Sequence, residues 1–373
     1  MIGIGYWFAN EKSEPVYRSK IDRLMFDKNN KSPAYLITLP DDLKSIIKTA
    51  SDNDTDFNEI QKQPQKKEEK VIQSFSLEKL INDIPNLAKL PNKNFPVTLK
   101  NIETVPDFIE ITDKGLILPK IGGDNHRPWI EYGQTTQTQP NFKKVAIVIG
   151  NLGFDGSASD KIASAFAPEV SLSFHPYITR NGDDILHARQ KGHETYRDII
   201  LASLDYMQKD TGPLALNFNL SMEEIIDRFH TSISQPHPIG GIIIRNGAIN
   251  GSDSPKITTI LEEVRNRGLL MIDATSSNVI DSIKINGLPR RKADIILTND
   301  MKQAEIDAQL KKAENIAFDK GQVLIVTENK PLAIISLSKW IDSFSPQLSY
   351  EEAKNINITK PFALVPVSNL VVE

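Results

Sequence analysis

From Lys143 onward the chain alternates short, continuous apolar runs with amphipathic, capped segments, and nothing else in the sequence restricts its fold as tightly. The runs fall at residues 145–149, 170–174, 199–201, 241–244, 269–272, 294–297, 323–326 and 363–367. Most are apolar throughout rather than at every second residue, as strands covered on both faces require. Between them, Ser221-Met222-Glu223-Glu224 has the spacing of a capping box, and Met222, Ile225, Ile226, Phe229 and Ile233 follow on one helical face. Ile257, Ile260, Leu261 and Val264 before Gly268, and Ile306, Leu310, Ala313, Ile316 and Ala317 before Gly321, repeat the pattern. Glycine at those stops permits the left-handed turn that ends a helix. Alternation repeated this often predicts an α/β domain over residues 141–373, with a mainly parallel sheet or barrel and right-handed crossovers. Its functional groups belong in the loops where strands end and helices begin.

The preceding residues read differently. Residues 51–70 carry almost no apolar side chain, so they cannot bury enough surface to offset the entropy of ordering. Residues 10–75 are therefore expected to form a disordered linker. Over residues 76–140 a short helix is expected after Ser76, and then Pro91, Pro96, Pro106, Pro119, Pro128 and Pro140 interrupt any long element. This part is expected to run as an extended lead-in over the surface of the barrel. Residues 1–9 are apolar but fall far short of the ~20 residues that span a bilayer. They are expected to be a terminus or the remnant of a membrane anchor.

Composition removes several classes of function. With no cysteine there is no disulfide framework, thiolate metal site, iron–sulfur cluster or cysteine nucleophile. A net charge of -4 gives no global attraction to nucleic acid. Gly150, Gly153 and Gly156 between the first strand and its helix have the look of a dinucleotide loop. However, the second strand is followed by Ser171-Leu172-Ser173-Phe174-His175-Pro176, without the acidic residue that would hold a ribose.

Read as a whole, the run VAIVIGNLG, helix, PEVSLSFHPY, ARQKGHE, DTGPLAL resembles the divergent polysaccharide deacetylases, a branch of the NodB-homology superfamily. RGLLMIDATSS, ADIILTND, GQVLIV and LVPVSNL agree in order. LPKIGGDNHRPWIEYG is similar to the lead-in of alphaproteobacterial members. The resemblance covers residues 143–370 and implies an irregular NodB-like β/α barrel in an exported protein with an N-terminal anchor. It also implies hydrolysis of an N-acetyl group by a divalent metal such as zinc, held by aspartate and histidines with a carboxylate as base.

The residues at the matching positions depart from that pattern. Gly150 and Asn151 stand where the family carries two aspartates, and Arg245 stands where it carries a histidine. Ile200-Leu201-Ala202-Ser203 lacks the usual glutamate, Thr298 replaces an aspartate, and a last histidine is missing near Thr327-Glu328. Asp273 survives, followed by Thr275, Ser276 and Ser277. A guanidinium repels a metal rather than binding it. The expected site is therefore emptied: Asp273 is its remaining catalytic residue, Asn151, Asp155, His175, Arg245 and Ser276 are its ligand-binding residues, and no metal or other cofactor is expected. Arg245 and Asp273 are expected to converge, with Asn151 and Asp155, at the barrel mouth.

Of the other histidines, His193 in the Gly-His-Glu run is expected to be structural and His230 to face solvent; His126, His187 and His237 carry no role. Trp129 and Tyr132 are expected to anchor the lead-in. The function expected is that of a non-catalytic relative in the periplasm or on the inner membrane. It would bind envelope glycan, such as peptidoglycan, or an envelope protein, and touch membrane only through an upstream anchor. The alternatives are a deacetylase with a rearranged site around Asp273 and His175, and a nucleotide-binding oxidoreductase using the Gly150 loop.

Overall fold

Among the described residues nine strands build the main sheet, and all but one of them come from the run-and-helix alternation. A computed structural model describes residues 85–371 except 137, 139–140, 179–181, 203–210, 246–248 and 346–359, all within one unit, Phe75–Glu373. The expected linker over residues 10–75, the apolar start at residues 1–9 and the helix after Ser76 lie outside the described residues.

The lead-in holds a two-stranded antiparallel hairpin, β1 (Ile109–Ile111) and β2 (Ile117–Pro119), and a short helix α1 (Pro128–Glu131), so it is not merely extended. Then come β3 (Lys143–Leu152), α2 (Gly156–Ala165), β4 (Ser171–Phe174), α3 (Asp183–Gln190), β5 (Thr195–Ile200) and α4 (Met222–Ile233). They are followed by β6 (Gly241–Arg245), α5 (Ser254–Asn266), β7 (Leu270–Ala274), α6 (Asn278–Ser282), β8 (Arg290–Lys292) and β9 (Ile295–Leu297). Last are α7 (Gln303–Lys320), β10 (Gln322–Glu328), α8 (Pro331–Asp342) and β11 (Phe362–Leu364). The capping box at Ser221 starts α4 as its spacing predicts, and Gly321 ends α7 in the left-handed region.

The strands pair in the order β8-β7-β6-β5-β4-β3-β10-β9, and β11 joins the first residues of β3; every pairing is parallel. β8 and β9 are opposite edges of this order, yet only Ala293 and Asp294 separate them in the chain. Ala293 N–H donates to the Asp273 carbonyl on β7 (2.8 Å), and Asp294 N–H to the Leu324 carbonyl on β10 (2.9 Å). Consecutive Cα atoms are about 3.8 Å apart, so two linking residues bring the edges together. The sheet is thus curled into a NodB-like barrel whose seam is closed by the chain rather than by a ladder.

Three sequence expectations shift. β5 begins at Thr195 rather than near Ile199, because Tyr196, Arg197 and Asp198, polar in the sequence, are buried in the strand. β8 reads Arg-Arg-Lys and carries no apolar run. The last run stops as a strand at Leu364, and Val367–Leu370 form a 3-10 turn.

Strand side chains alternate between faces. Ala146, Val148, Tyr196, Ile243, Leu270, Ile272, Leu324 and Val326 fill the barrel interior with Trp129, Val365, Val367 and Leu370. The opposite phase packs under the helices: Val145, Ile147 and Ile149 on one side, and Ile242, Ile244 and Met271 on the other.

One carboxylate ties the lead-in and the C-terminal turn to this interior. Glu194 is 1% exposed and accepts from Gln134 N–H (2.8 Å) in the lead-in, from the Tyr196 hydroxyl (2.9 Å) and from Ser368 near the C-terminus. Burial pushes its carboxyl up, and these donors oppose the rise. Arg189, wholly buried, donates to the carbonyls of Tyr132 (3.0 Å), Ile102 (3.2 Å) and Asn101, and its guanidinium lies 5.4 Å from the centre of the Tyr132 ring. Tyr132 and Trp129, both buried, anchor the lead-in. His193 is structural, its ring nitrogens 2.7 Å from the Val170 carbonyl and 2.9 Å from that of Ala163. Replacing Glu194 with Ala strands the donors of Gln134, Tyr196 and Ser368, which predicts a loss of about 3 kcal/mol in urea unfolding. A loss under about 1 kcal/mol would show that the lead-in and the C-terminal turn are held by something else.

Candidate functional site

The C-terminal ends of β3, β4, β5, β6 and β10 bring one polar layer into the barrel interior. The register fixes its members: Gly150 pairs with Glu328, Asp198 with Ile243, and Arg245 with Ala274, all on the inward phase. Asp198, 2% exposed, is the centre. Its Oδ2 accepts from Arg245 Nη2 (2.5 Å) and from Asn151 N–H (2.9 Å), and its Oδ1 from the Ser173 hydroxyl (2.5 Å). Arg245 Nη1 stands 3.8 Å from Glu328 Oε1 and is a buried nitrogen with no hydrogen-bond partner among the described residues.

Gly150 is what makes room for that guanidinium. A Cβ at this position would stand 2.9 Å from Arg245 Cζ and Nη1. Asn151 follows with φ +60, the left-handed region that asparagine tolerates better than most residues, where the pairing of β3 with β4 shifts register. Its contribution to the layer is its backbone N–H.

His175 lies beside this layer. Its N–H donates to the Leu152 carbonyl (2.9 Å), its carbonyl accepts from Arg197 Nη1 (3.2 Å), and its Nδ1 accepts from Tyr177 N–H (3.3 Å). Burial lowers its pKa to about 4; Asp198 pulls the other way, and Arg245 and Arg197 add to the depression. The ring is therefore neutral at physiological pH. It lies against Phe154 (centroids 4.2 Å apart, rings tilted by 44°) and Tyr177 (5.1 Å, 41°).

The structure brings Asn151, His175 and Arg245 together and places the other expected residues elsewhere. Asp273 pairs in register with Ile244, one of the side chains under the helices, so its carboxylate lies on the outer face while Arg245 points inward. The expected Arg245–Asp273 pair is replaced by Arg245–Asp198, because neighbours in a strand alternate faces. Asp273 Oδ1 accepts from Thr275 N–H (2.9 Å) and its hydroxyl (2.8 Å), and burial pushes the carboxyl up. Asp155 caps α2, accepting from Ser157 and Ala158 N–H (2.9 and 3.2 Å). A carboxylate thus already occupies the helix end where a nucleotide phosphate would sit. Ser276 is exposed in the turn after β7. His230 is only partly exposed, its Nε2 2.7 Å from Glu263 Oε1.

Sequence reasoning missed Asp198 and Glu328 as the acidic neighbours of Arg245, and Ser173 as a donor to Asp198. The signal was available in Tyr196-Arg197-Asp198, since a charge in a strand covered on both faces requires a partner. Thr298, Asn299, Thr327 and Glu328 wall a cavity of about 50 Å³ with Arg245.

Two predictions follow from this geometry. Gly150→Ala displaces the guanidinium from Asp198 and costs about 1–3 kcal/mol by denaturant unfolding. In an Arg245→Ala background the same change costs under about 0.5 kcal/mol, and additive costs would refute the coupling. Because folding keeps His175 uncharged while the unfolded chain protonates it near pH 6.5, its contribution to stability is whole above pH 6.5 and is lost as pH falls toward 4. The stability of His175→Phe relative to the unchanged protein should therefore rise as pH falls through that window, and a flat difference would contradict it.

Residues 147–351 match the family described as divergent polysaccharide deacetylase. The chain is similar to the crystal structure of an uncharacterized protein from Agrobacterium tumefaciens C58: 27% identity, TM-score 0.58, covering 68% of this chain and 99% of that one. The catalytic domain of peptidoglycan N-acetylglucosamine deacetylase from Eubacterium rectale ATCC 33656 aligns at 10% identity and TM-score 0.35, covering 62% of this chain and 96% of that one. No protein of curated function matches the sequence. From the match to residues 147–351, this chain belongs to the divergent polysaccharide deacetylase family.

Proposed function

We propose that this protein binds cell-envelope glycan and does not catalyse metal-dependent deacetylation. The observation that carries the reading is the Arg245 guanidinium seated over Gly150 and bound to Asp198. The family reaction uses a divalent ion that polarises the amide and lowers the pKa of its bound water. The residues here do not fit such an ion. Gly150 has no side chain, Asn151 directs its backbone N–H at Asp198, and Arg245 fills the layer with a fixed positive charge. A second cation beside it would be repelled across a poorly screening interior. Among the described residues no three His, Asp or Glu side chains form a group that could hold a metal. Asp273, the one aspartate kept from the family pattern, lies on the outer face with its carboxylate bound to Thr275. That position argues against a rearranged deacetylase built on it.

In this reading the protein works in the periplasm or on the inner membrane facing it, as export of the family implies. Among the described residues no helix is long and apolar enough to cross a membrane. The test is acetate release from N-acetylated peptidoglycan fragments and chitooligosaccharides, with and without added zinc, beside Asp273→Ala. No release above the blank is expected in any arm, together with a saturable heat of binding to the same glycans in calorimetry. Zinc-dependent acetate release would overturn the reading.

A further inference from the structure

The mouth of the barrel carries an aromatic row beside the polar layer. Phe154, at the end of the β3 loop, is 50% exposed although it is a large apolar ring. Behind it His175 and then Tyr177 continue the row, with tilted rings. The row is held from below. His175 is fixed to β3 and β5 by its main chain, and Tyr177's hydroxyl accepts from Leu214 N–H (2.6 Å). Gly212 has φ +86, and a Cβ there would come within 2.5 Å of the Tyr177 hydroxyl, so that ring lies flush on the backbone. A ring exposed at its outer end and braced behind presents a rigid apolar face at little entropic cost on binding.

The groups beside the row select the kind of ligand. His175 is close enough to Asp198 and Arg245 to feel both charges. The polar layer sets Asp198 and Glu328 against Arg245, and Arg197 donates to the His175 carbonyl, so two carboxylates face two guanidiniums, with the Ser173 hydroxyl among them. That balance disfavours a phosphate or a uronate and suits hydroxyl groups, which donate and accept at once. An apolar ring face next to mixed hydrogen-bonding groups matches a pyranose, whose C–H faces are apolar and whose edges are hydroxylated.

Resting on the glycan-binding reading, we propose that Phe154, backed by His175 and Tyr177, is the stacking surface for one uncharged pyranose ring of the bound glycan. The neutral imidazole keeps the row free of charge at physiological pH.

The test is calorimetric titration of the full chain with a soluble N-acetylated chitooligosaccharide, a de-N-acetylated cationic one and a polyuronate. Phe154→Ala is expected to weaken the N-acetylated ligand about tenfold, corresponding to ~1.4 kcal/mol, with an unchanged melting temperature. Phe154→Trp should keep or tighten binding. Phe318→Ala, which removes another exposed ring (45%) on α7, should leave it unchanged. If the unchanged protein binds and Phe154→Ala binds equally well, the stacking surface is refuted while the glycan reading stands. If the polyuronate or the cationic ligand binds tighter than the neutral one, the assignment to an uncharged ring is refuted. If no glycan binds, the glycan reading falls and the stacking surface with it.

Discussion

A carboxylate inside a curled parallel sheet has no water to solvate it, so donors must be brought to it from several strands at once. This barrel does so twice. At one end Glu194 gathers the lead-in, β5 and the C-terminal turn. At the other Asp198 gathers β3, β4 and β6 through Asn151, Ser173 and Arg245. Between them lies an apolar layer that includes Val148, Ile243, Ile272 and Val326. The rest of the molecule follows from satisfying these two groups: the lead-in must cross the barrel, the C-terminal turn must return to it, and residue 150 must have no side chain.

The second carboxylate explains how a deacetylase fold is stable with this set of residues. A buried anion at the mouth calls for a cation. A covalently attached guanidinium supplies it with directed hydrogen bonds and cannot dissociate. The same substitution fills the space in which a hydrolytic centre would need an open coordination position. Structural stability and the proposed loss of chemistry are therefore one arrangement. The glycine beneath Arg245 and the arginine itself are interdependent, since either alone would leave a clash or an unpaired charge.

Much of this was legible in the sequence. The runs at residues 145–149 and 241–244, the capping box at Ser221 and the stop at Gly321 have local causes, so their elements stand where the pattern puts them. The meeting of Asn151 and Arg245 at the strand ends could also be read, because both follow apolar runs that pair in one parallel sheet. The hairpin β1–β2 and the strand β8 were not legible, since Arg290-Arg291-Lys292 becomes a strand only by pairing with β7.

The amino-acid order alone determined the fold class, the alternation of apolar strands with helices after Lys143 and the absence of thiol chemistry, because these depend on local periodicity and residue type. Tertiary structure decided which charged side chains meet. Arg245 and Asp273 stand at neighbouring strand ends, but a one-residue difference in phase puts them on opposite faces and gives Arg245 to Asp198, 47 residues away. No local pattern carries that choice, because register and the curl of the sheet are set by packing across the whole barrel.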